Sequence, residues 1–529
     1  MKDKKLSVFI LSFYWLLLLG ASVFPVSNCF VEPLLTPKWY AVGIMLIAGG
    51  LLFLPVILFR LLKCDWQNVY IMIYKLTNIV IFVEATLSVF QFYSIIPHYY
   101  GLSVGSFDNA AGLSACLTLT FPLGIVRFKE SRVTERILLL IMKSMSVFAV
   151  FLYGSRSAFI CMSLIVALML YRQYRYKVLN AFVVVIIAML FSSLLFKTDS
   201  TKGRWFIIER SVEMIKEHPF VGWGHNGFMA NYMDIQAKYF NDHPNSPFVR
   251  LADNIHHPLN EYLLIAVNYG LLSLLLVVAF MIVIGCYVSS HHFWMVKEGG
   301  IIFVSVLLLS LFSYPFAYPL TTIIVMLSLT LIGADIASKI CLKQIVVWTS
   351  IILFLFLIPL SFRFYNSIES QLTWKKAMNE ISRGNRLHAK VMYSMIYPSL
   401  KTDYTFLYNY GYELFRMGHY EQALLLAEET EKIIADYDLQ LLKGDCYNKL
   451  GERKKAIGSY NKAANMCPSR LVPLYEIYKI YSKHHDSTNC KRIRELIMKK
   501  PIKRMNMDVL KMLNEINKDY RKLNNNIYN

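Results

Sequence analysis

The sequence predicts an all-α fold in two parts: a polytopic bundle of membrane helices with one large outer loop, then a C-terminal helical-repeat domain. Three observations predict it. Of 529 residues, 56% are hydrophobic and only 17% charged, with mean hydropathy +0.42, whereas soluble domains are roughly 45–50% apolar and about a quarter charged. Apolar runs long enough to cross a hydrocarbon core recur along residues 1–365. After Phe362 the hydropathy falls and glycines recur at a fixed spacing. A single soluble domain and a disordered chain are both excluded. The net charge of +20 divides equally, with 27 Lys/Arg against 17 Asp/Glu in residues 1–365 and 28 against 18 in residues 366–529. Nucleic-acid binding needs a basic patch on a soluble fold, and no nucleic-acid partner is expected.

The apolar runs number about eleven: 6–24, 39–59, 69–93, 109–126, 137–153, 157–171, 178–196, 262–288, 300–314, 319–337 and 344–362. The first follows Lys2, Lys4 and Lys5 as a secretory signal would. It is long and lacks a small-x-small cleavage site, so it is expected to remain as a helix. Alternate short loops carry 15 Lys/Arg, against only Lys38 and Arg156 in the others. The positive-inside rule then predicts a cytoplasmic N-terminus, with odd-numbered loops and everything after Phe362 on the outer side. Membrane lipids are accordingly expected around residues 1–365.

One connection is long. Residues 197–258 lie between the seventh and eighth runs and carry seven charges of each sign. Long connections are usually functional, and balanced charge marks this one as a folded outer cap rather than a topology signal.

The domain over 366–529 contains two aligned units: Gly411 and Gly444, Gly418 and Gly451, Ala423 and Ala456, each 33 residues apart. Small residues at these offsets let antiparallel helices approach closely, and the spacing resembles the tetratricopeptide repeat. At least three repeats are needed for a stable solenoid, so helices at 369–395 and 472–515 are expected to complete it. Such a solenoid offers a surface for a protein partner. Its basic end, from Lys491 to Lys522, suits an anionic membrane surface or simply a solvated face.

The nine cysteines show no CxxC pair or metal spacing, although Cys446, Cys467 and Cys490 leave one disulfide open. No HExxH, GxSxG or Gly-rich phosphate loop occurs. Neither a metal nor a cofactor is expected. A transporter or flippase would show matched broken helices in internal repeats, and no such symmetry is visible. A pure scaffold would leave the outer polar groups without a use.

Those groups fall in three places. Gly154-Ser155-Arg156-Ser157 puts a cation at the outer ends of the fifth and sixth helices, where charge is costly unless it has a function. Lys202-Gly203-Arg204-Trp205 is expected to open an amphipathic helix ending near His218-Pro219, with Arg204 at its start, where an anion would bind. Asn254-Ile255-His256-His257-Pro258-Leu259-Asn260-Glu261 stands at the mouth of the eighth helix and supplies imidazoles able to act as bases near neutral pH. Two guanidiniums clamp a diphosphate at any pH, and a nearby imidazole takes a proton from an attacking hydroxyl. The set suits displacement of pyrophosphate from an anomeric carbon without metal or nucleotide.

These residues also carry a resemblance. Lys202-Gly203-Arg204-Trp205 through His218-Pro219-Phe220-Val221-Gly222-Trp223-Gly224, then Asn260-Glu261-Tyr262-Leu263 and Tyr269-Gly270-Leu271-Leu272, resemble the O-antigen ligase/polymerase superfamily over roughly residues 100–330. The resemblance implies a membrane-embedded glycosyltransferase of the GT-C type in the bacterial inner membrane. Such an enzyme moves a glycan from undecaprenyl pyrophosphate to a hydroxyl acceptor on lipid A–core, a growing polysaccharide, or, in a protein O-oligosaccharyltransferase, a protein. It further implies that Arg156 and Arg204 hold the pyrophosphate and that a histidine before Asn260 is the base. Many members place His immediately before that Asn, where this chain has Leu259. His257 is therefore the expected base and His256 the second choice, with Arg210, Asn260 and Glu261 in support.

Overall fold

The computed structural model describes residues 2–60, 65–128, 130–174, 198–339, 343–503 and 505–525. Their regular structure is helical apart from one isolated bridge between Tyr99 and Leu102. Four of the described helices are long and apolar enough to cross a membrane: Lys5–Val23, Trp66–Phe92, Glu261–Ser290 and Ile351–Ser382. The expected run at 178–196 lies outside the described residues.

The chain divides into two compact units. One comprises Met1–Leu195, Leu259–Glu261 and Val277–Lys376; the other comprises Phe196–Pro258, Tyr262–Leu276 and Ala377–Asn529. Contacts thus group the outer loop with the tail, and the last stretch of the second unit begins at Ala377. The last apolar run belongs to a helix, Lys343–Ser382, that continues well beyond that run.

In the first unit, helices Lys2–Val23, Trp66–Phe92, Val133–Leu152, Trp294–Ser310 and Pro319–Lys339 pack around a core that includes Leu19, Ala85, Leu113, Ala149 and Ile324. Several polar residues inside it are paired, which offsets the cost of burying them in a low-dielectric interior. Lys38, counted from sequence as a loop cation, is buried and donates to the backbone oxygen and hydroxyl of Ser106. The Ser106 N–H in turn donates to Glu84 at 2.7 Å. The fourth run is helical only over Ala110–Thr120, because Pro122 has no N–H to continue the ladder. The Thr120 carbonyl accepts both the Leu123 N–H at 3.2 Å and Lys143 Nζ at 2.9 Å, and the Glu298 carboxylate collects the Gly124 and Val126 N–H groups beyond it.

In the second unit the repeats extend further than sequence spacing revealed. Helix pairs join at Gly384, Gly418, Gly451 and His485, all with positive φ. Each turn has the same backbone bond: Asn385 N–H to Glu380 O, His419 to Leu414, Glu452 to Tyr447 and Asp486 to Tyr481, at 2.8 to 3.0 Å. This is the 6→1 bond of a Schellman motif, whose left-handed residue is ordinarily Gly. The fourth turn escaped notice because His485 occupies that place. Gly444 packs so tightly that an added Cβ would come within 2.5 Å of the Tyr460 ring. Cys446, Cys467 and Cys490 are buried free thiols.

Candidate active site

The Gly154-Ser155-Arg156-Ser157 turn is built by the same helix-ending chemistry. Gly154 is left-handed at φ 60°, Gly154 N–H donates to Phe151 O at 3.0 Å and Ser155 N–H to Val150 O at 3.3 Å. That Schellman closure ends helix Val133–Leu152 and makes Arg156 the first residue of helix Arg156–Tyr174. The Tyr153 hydroxyl bonds the backbone oxygens of Ser88 and Ser103, fixing the turn from below. Arg156 is half-buried.

In the same unit, Asn260 Nδ2 donates to Leu311 O at 3.1 Å, and the Glu261 carboxylate accepts the Phe316 backbone N–H. The Tyr314–Pro319 turn, expected to join two helices tightly, contains a 3-10 helix over Pro315–Ala317. It is therefore also the support of Asn260 and Glu261. Leu259, the residue in place of the histidine, has φ 57°. A branched side chain there stores strain of about 1 kcal/mol or more.

The remaining candidates lie in the second unit. Arg204 is exposed, but the expectation that it opens its helix is corrected: the helix spans Thr198–Glu217, so Arg204 lies almost two turns inside. Its charge, not a free helix end, is what it offers an anion. Arg210 is committed elsewhere. It pairs with Glu213 at 2.8 Å and lies 4.3 Å from the centre of the Tyr239 ring, beside the aromatic cluster of Phe206, Phe240 and Phe248.

The two histidines separate. His256 Nε2 lies 3.0 Å from Asp436 Oδ2, and Asn254 Nδ2 donates to the same oxygen at 2.6 Å. The other oxygen, Asp436 Oδ1, caps helix Tyr437–Lys449 by accepting the Asp438 and Leu439 N–H groups. Burial opposes ionisation of Asp436, but the bonds from His256 and Asn254 prevail and hold its carboxyl below the usual range. His257 is partly buried, and desolvation lowers its pKa from 6.5 to about 4. It is neutral at pH 7.

The loop is joined to the tail at several further points. Asp253 accepts Arg470 at 2.6 Å and Lys503 at 3.0 Å; Lys462 bridges Asp234 and Glu431 at 2.9 and 3.1 Å; Gln236 Nε2 donates to Met466 O at 2.6 Å. Part of the solenoid surface, expected to face a protein partner, is thus occupied by the chain's own loop.

Sequence reasoning missed Asn268. Its Oδ1 accepts the Phe228 N–H at 2.8 Å, capping helix Gly227–Asp242 from another element, while Asn226 makes no side-chain cap. It also missed Asp436. An Asp before a helical run is a cap signal, and Asp403 and Asp436 share the 33-residue spacing, but nothing local marks the second oxygen.

Among known proteins, no curated sequence matches the chain. A solved structure described as "Crystal structure of APC/C hetero-tetramer Cut9-Hcn1" aligns at 11% identity over 91% of this chain and 90% of that chain, with a TM-score of 0.26. A likeness at that level carries no argument. The family model for O-antigen ligase (Wzy_C) matches residues 141–278, the stretch containing Arg156, Arg204, His256, His257, Asn260 and Glu261. Over residues 141–278 the chain is therefore similar to the O-antigen ligases, a ligase or polymerase type of glycosyltransferase, and its long apolar helices are those of a multi-pass membrane protein.

Proposed function

We propose that the protein transfers a glycan from undecaprenyl pyrophosphate to a hydroxyl acceptor, lipid A–core or a growing polysaccharide, on the periplasmic face of the bacterial inner membrane. The observation that carries this reading is the O-antigen ligase match over the segment holding every polar candidate. The acceptor oxygen attacks the anomeric carbon, its proton passes to His257, and the bond to the pyrophosphate breaks. Arg156 and Arg204 neutralise the departing undecaprenyl pyrophosphate, as guanidiniums do at any pH. The neutral state of His257 supports its role as acceptor of that proton. An anionic donor beside the ring would raise its pKa toward the working pH, where a general base is most effective. His256, bound to Asp436, acts as a tether. The chemistry requires no metal, and the domains 1–365 and 366–529 serve catalysis and docking respectively.

Deleting the gene and profiling lipid-linked glycan, lipopolysaccharide and glycoprotein tests the reading. Loss of surface polymer with accumulation of lipid-linked repeats is expected, and neither Arg204→Ala nor His257→Ala should restore it. Loss of protein glycosylation alone would instead identify a protein O-oligosaccharyltransferase. Full rescue by both variants would remove the site assignment. Donor trapped on the cytoplasmic side would point to a flippase. A reporter fused after Asn529 should be active only outside the cytoplasm.

A further inference from the structure

The helix Glu261–Ser290 is broken at Gly270, whose φ of 80° and ψ of 173° are not helical. Breaking a helix releases backbone groups, and in this protein the outer loop takes them up. Leu271 N–H, which would have bonded Val267 O, donates to Pro219 O at 2.7 Å. The Val267 carbonyl so freed accepts Trp223 N–H at 2.9 Å, and Asn268 O accepts Gly224 N–H at 2.8 Å. The approach is too close for side chains. A Cβ on Gly270 would lie 2.0 Å from Phe220 O, and one on Gly222 would lie 2.5 Å from the Asn268 carbonyl carbon. The Trp223 indole N–H is also satisfied, by Met214 O at 2.9 Å.

The tip of this docked segment is apolar and uncovered. Phe220 is 75% and Val221 80% exposed, and on the same side of the break Leu271, Leu272, Leu275 and Leu276 are exposed as well. A hydrocarbon core needs about 20 residues of helix, and counting back from Ser290 reaches Leu271. The break therefore stands at the boundary of the core. Non-helical backbone is tolerated at that depth only when its polar groups are paired within the protein, the condition met by the three bonds above. Exposed aromatic and aliphatic side chains beside a membrane span gain by burial in acyl chains. Continuity with the span identifies the occupant as bilayer lipid.

We propose that Pro219–Gly224 is a membrane-inserted tip: the loop is pinned onto the broken helix and buries Phe220 and Val221 in the acyl region of the adjoining leaflet. The test uses the full chain in vesicles of phosphatidylethanolamine and phosphatidylglycerol, with exposed Cys29 and Cys286 replaced by Ser. A nitroxide is attached at Val221→Cys, and the signal of the parent lacking that change is subtracted. Labels at Leu275→Cys and Lys238→Cys serve as lipid and water references. The Val221 label should favour oxygen over a water-soluble nickel chelate several-fold more than the Lys238 label, approaching the Leu275 label. A ratio equal to that at Lys238 would overturn the proposal. Low accessibility to both reagents, meaning that another protein surface covers the tip, would overturn it too.

Discussion

His256 Nε2 lies 3.0 Å from Asp436 Oδ2 although 180 residues separate them. The contact ties the outer loop to the cap of a repeat helix, since the second oxygen of Asp436 holds the Asp438 and Leu439 N–H groups. One carboxylate thus serves a local and a long-range purpose.

Asp436→Ala should lower the stability of this unit by about 2 kcal/mol, as loss of a cap and of charge-assisted bonds together implies. His256→Ala should cost less, because the cap survives. A double-mutant cycle by chemical denaturation would measure their coupling, and additive effects would disprove it. The folded carboxyl has a depressed pKa, so its contribution is full above the unfolded value near 4 and is lost as pH falls through the lower folded value.

His257 responds to acid in the same direction, over a higher pH range. Its folded pKa, about 4, lies below the 6.5 of the unfolded chain, so the unfolded state takes up more protons between these values. Stability therefore falls as pH drops from 6.5 toward 4. His257→Gln should blunt that loss in pH-dependent melting curves while lowering transfer by about 10²–10⁴-fold, the range for removing a general base. Retained transfer would exclude it as the base.

The two arginines of the outer helix should part company. Arg210→Ala removes the pair with Glu213 and the ring contact with Tyr239, so a lower melting temperature is expected. Arg204→Ala, at an exposed position, should lower melting less than Arg210→Ala and abolish transfer. Equal melting losses would refute the distinction.

Gly270→Ala should be among the most damaging single substitutions, since its Cβ meets backbone at 2.0 Å. Gly203→Ala is the control. It lies in a helix with nothing nearer than Leu251 Cβ at 3.9 Å and should stabilise by up to about 1 kcal/mol. Folded yield and melting temperature in detergent would compare them.

At the repeat turns, His485→Gly should stabilise the tail by about 1 kcal/mol and Gly451→Ala should destabilise it similarly, because only Gly adopts the left-handed conformation without steric cost. Thermal denaturation reads both, and a stability loss in His485→Gly would contradict the turn geometry.

Much of this was legible because it rests on local periodicity. Long apolar runs announce membrane helices, and Gly418 and Gly451 mark turns because chirality leaves few residues for that backbone. The fourth turn was hidden by His485, and the position of Arg204 was misjudged because the residues before it, Thr198 to Gly203, carry no strong helical pattern. At the site, the residue types and their order were readable. The different fates of His256 and His257 were not, since one carboxylate far along the chain decides them.

By itself the sequence determined the helical class, the membrane-spanning composition, the repeat spacing and the ordered Arg, His and Asn motifs, all properties of neighbouring residues. The tertiary structure alone decided that the outer loop belongs with the tail, that the span breaks at Gly270, and that Asn268 and Asp436 cap helices or tether elements distant in sequence. These outcomes depend on which buried donors and acceptors meet, and pairing such groups outweighs any local preference.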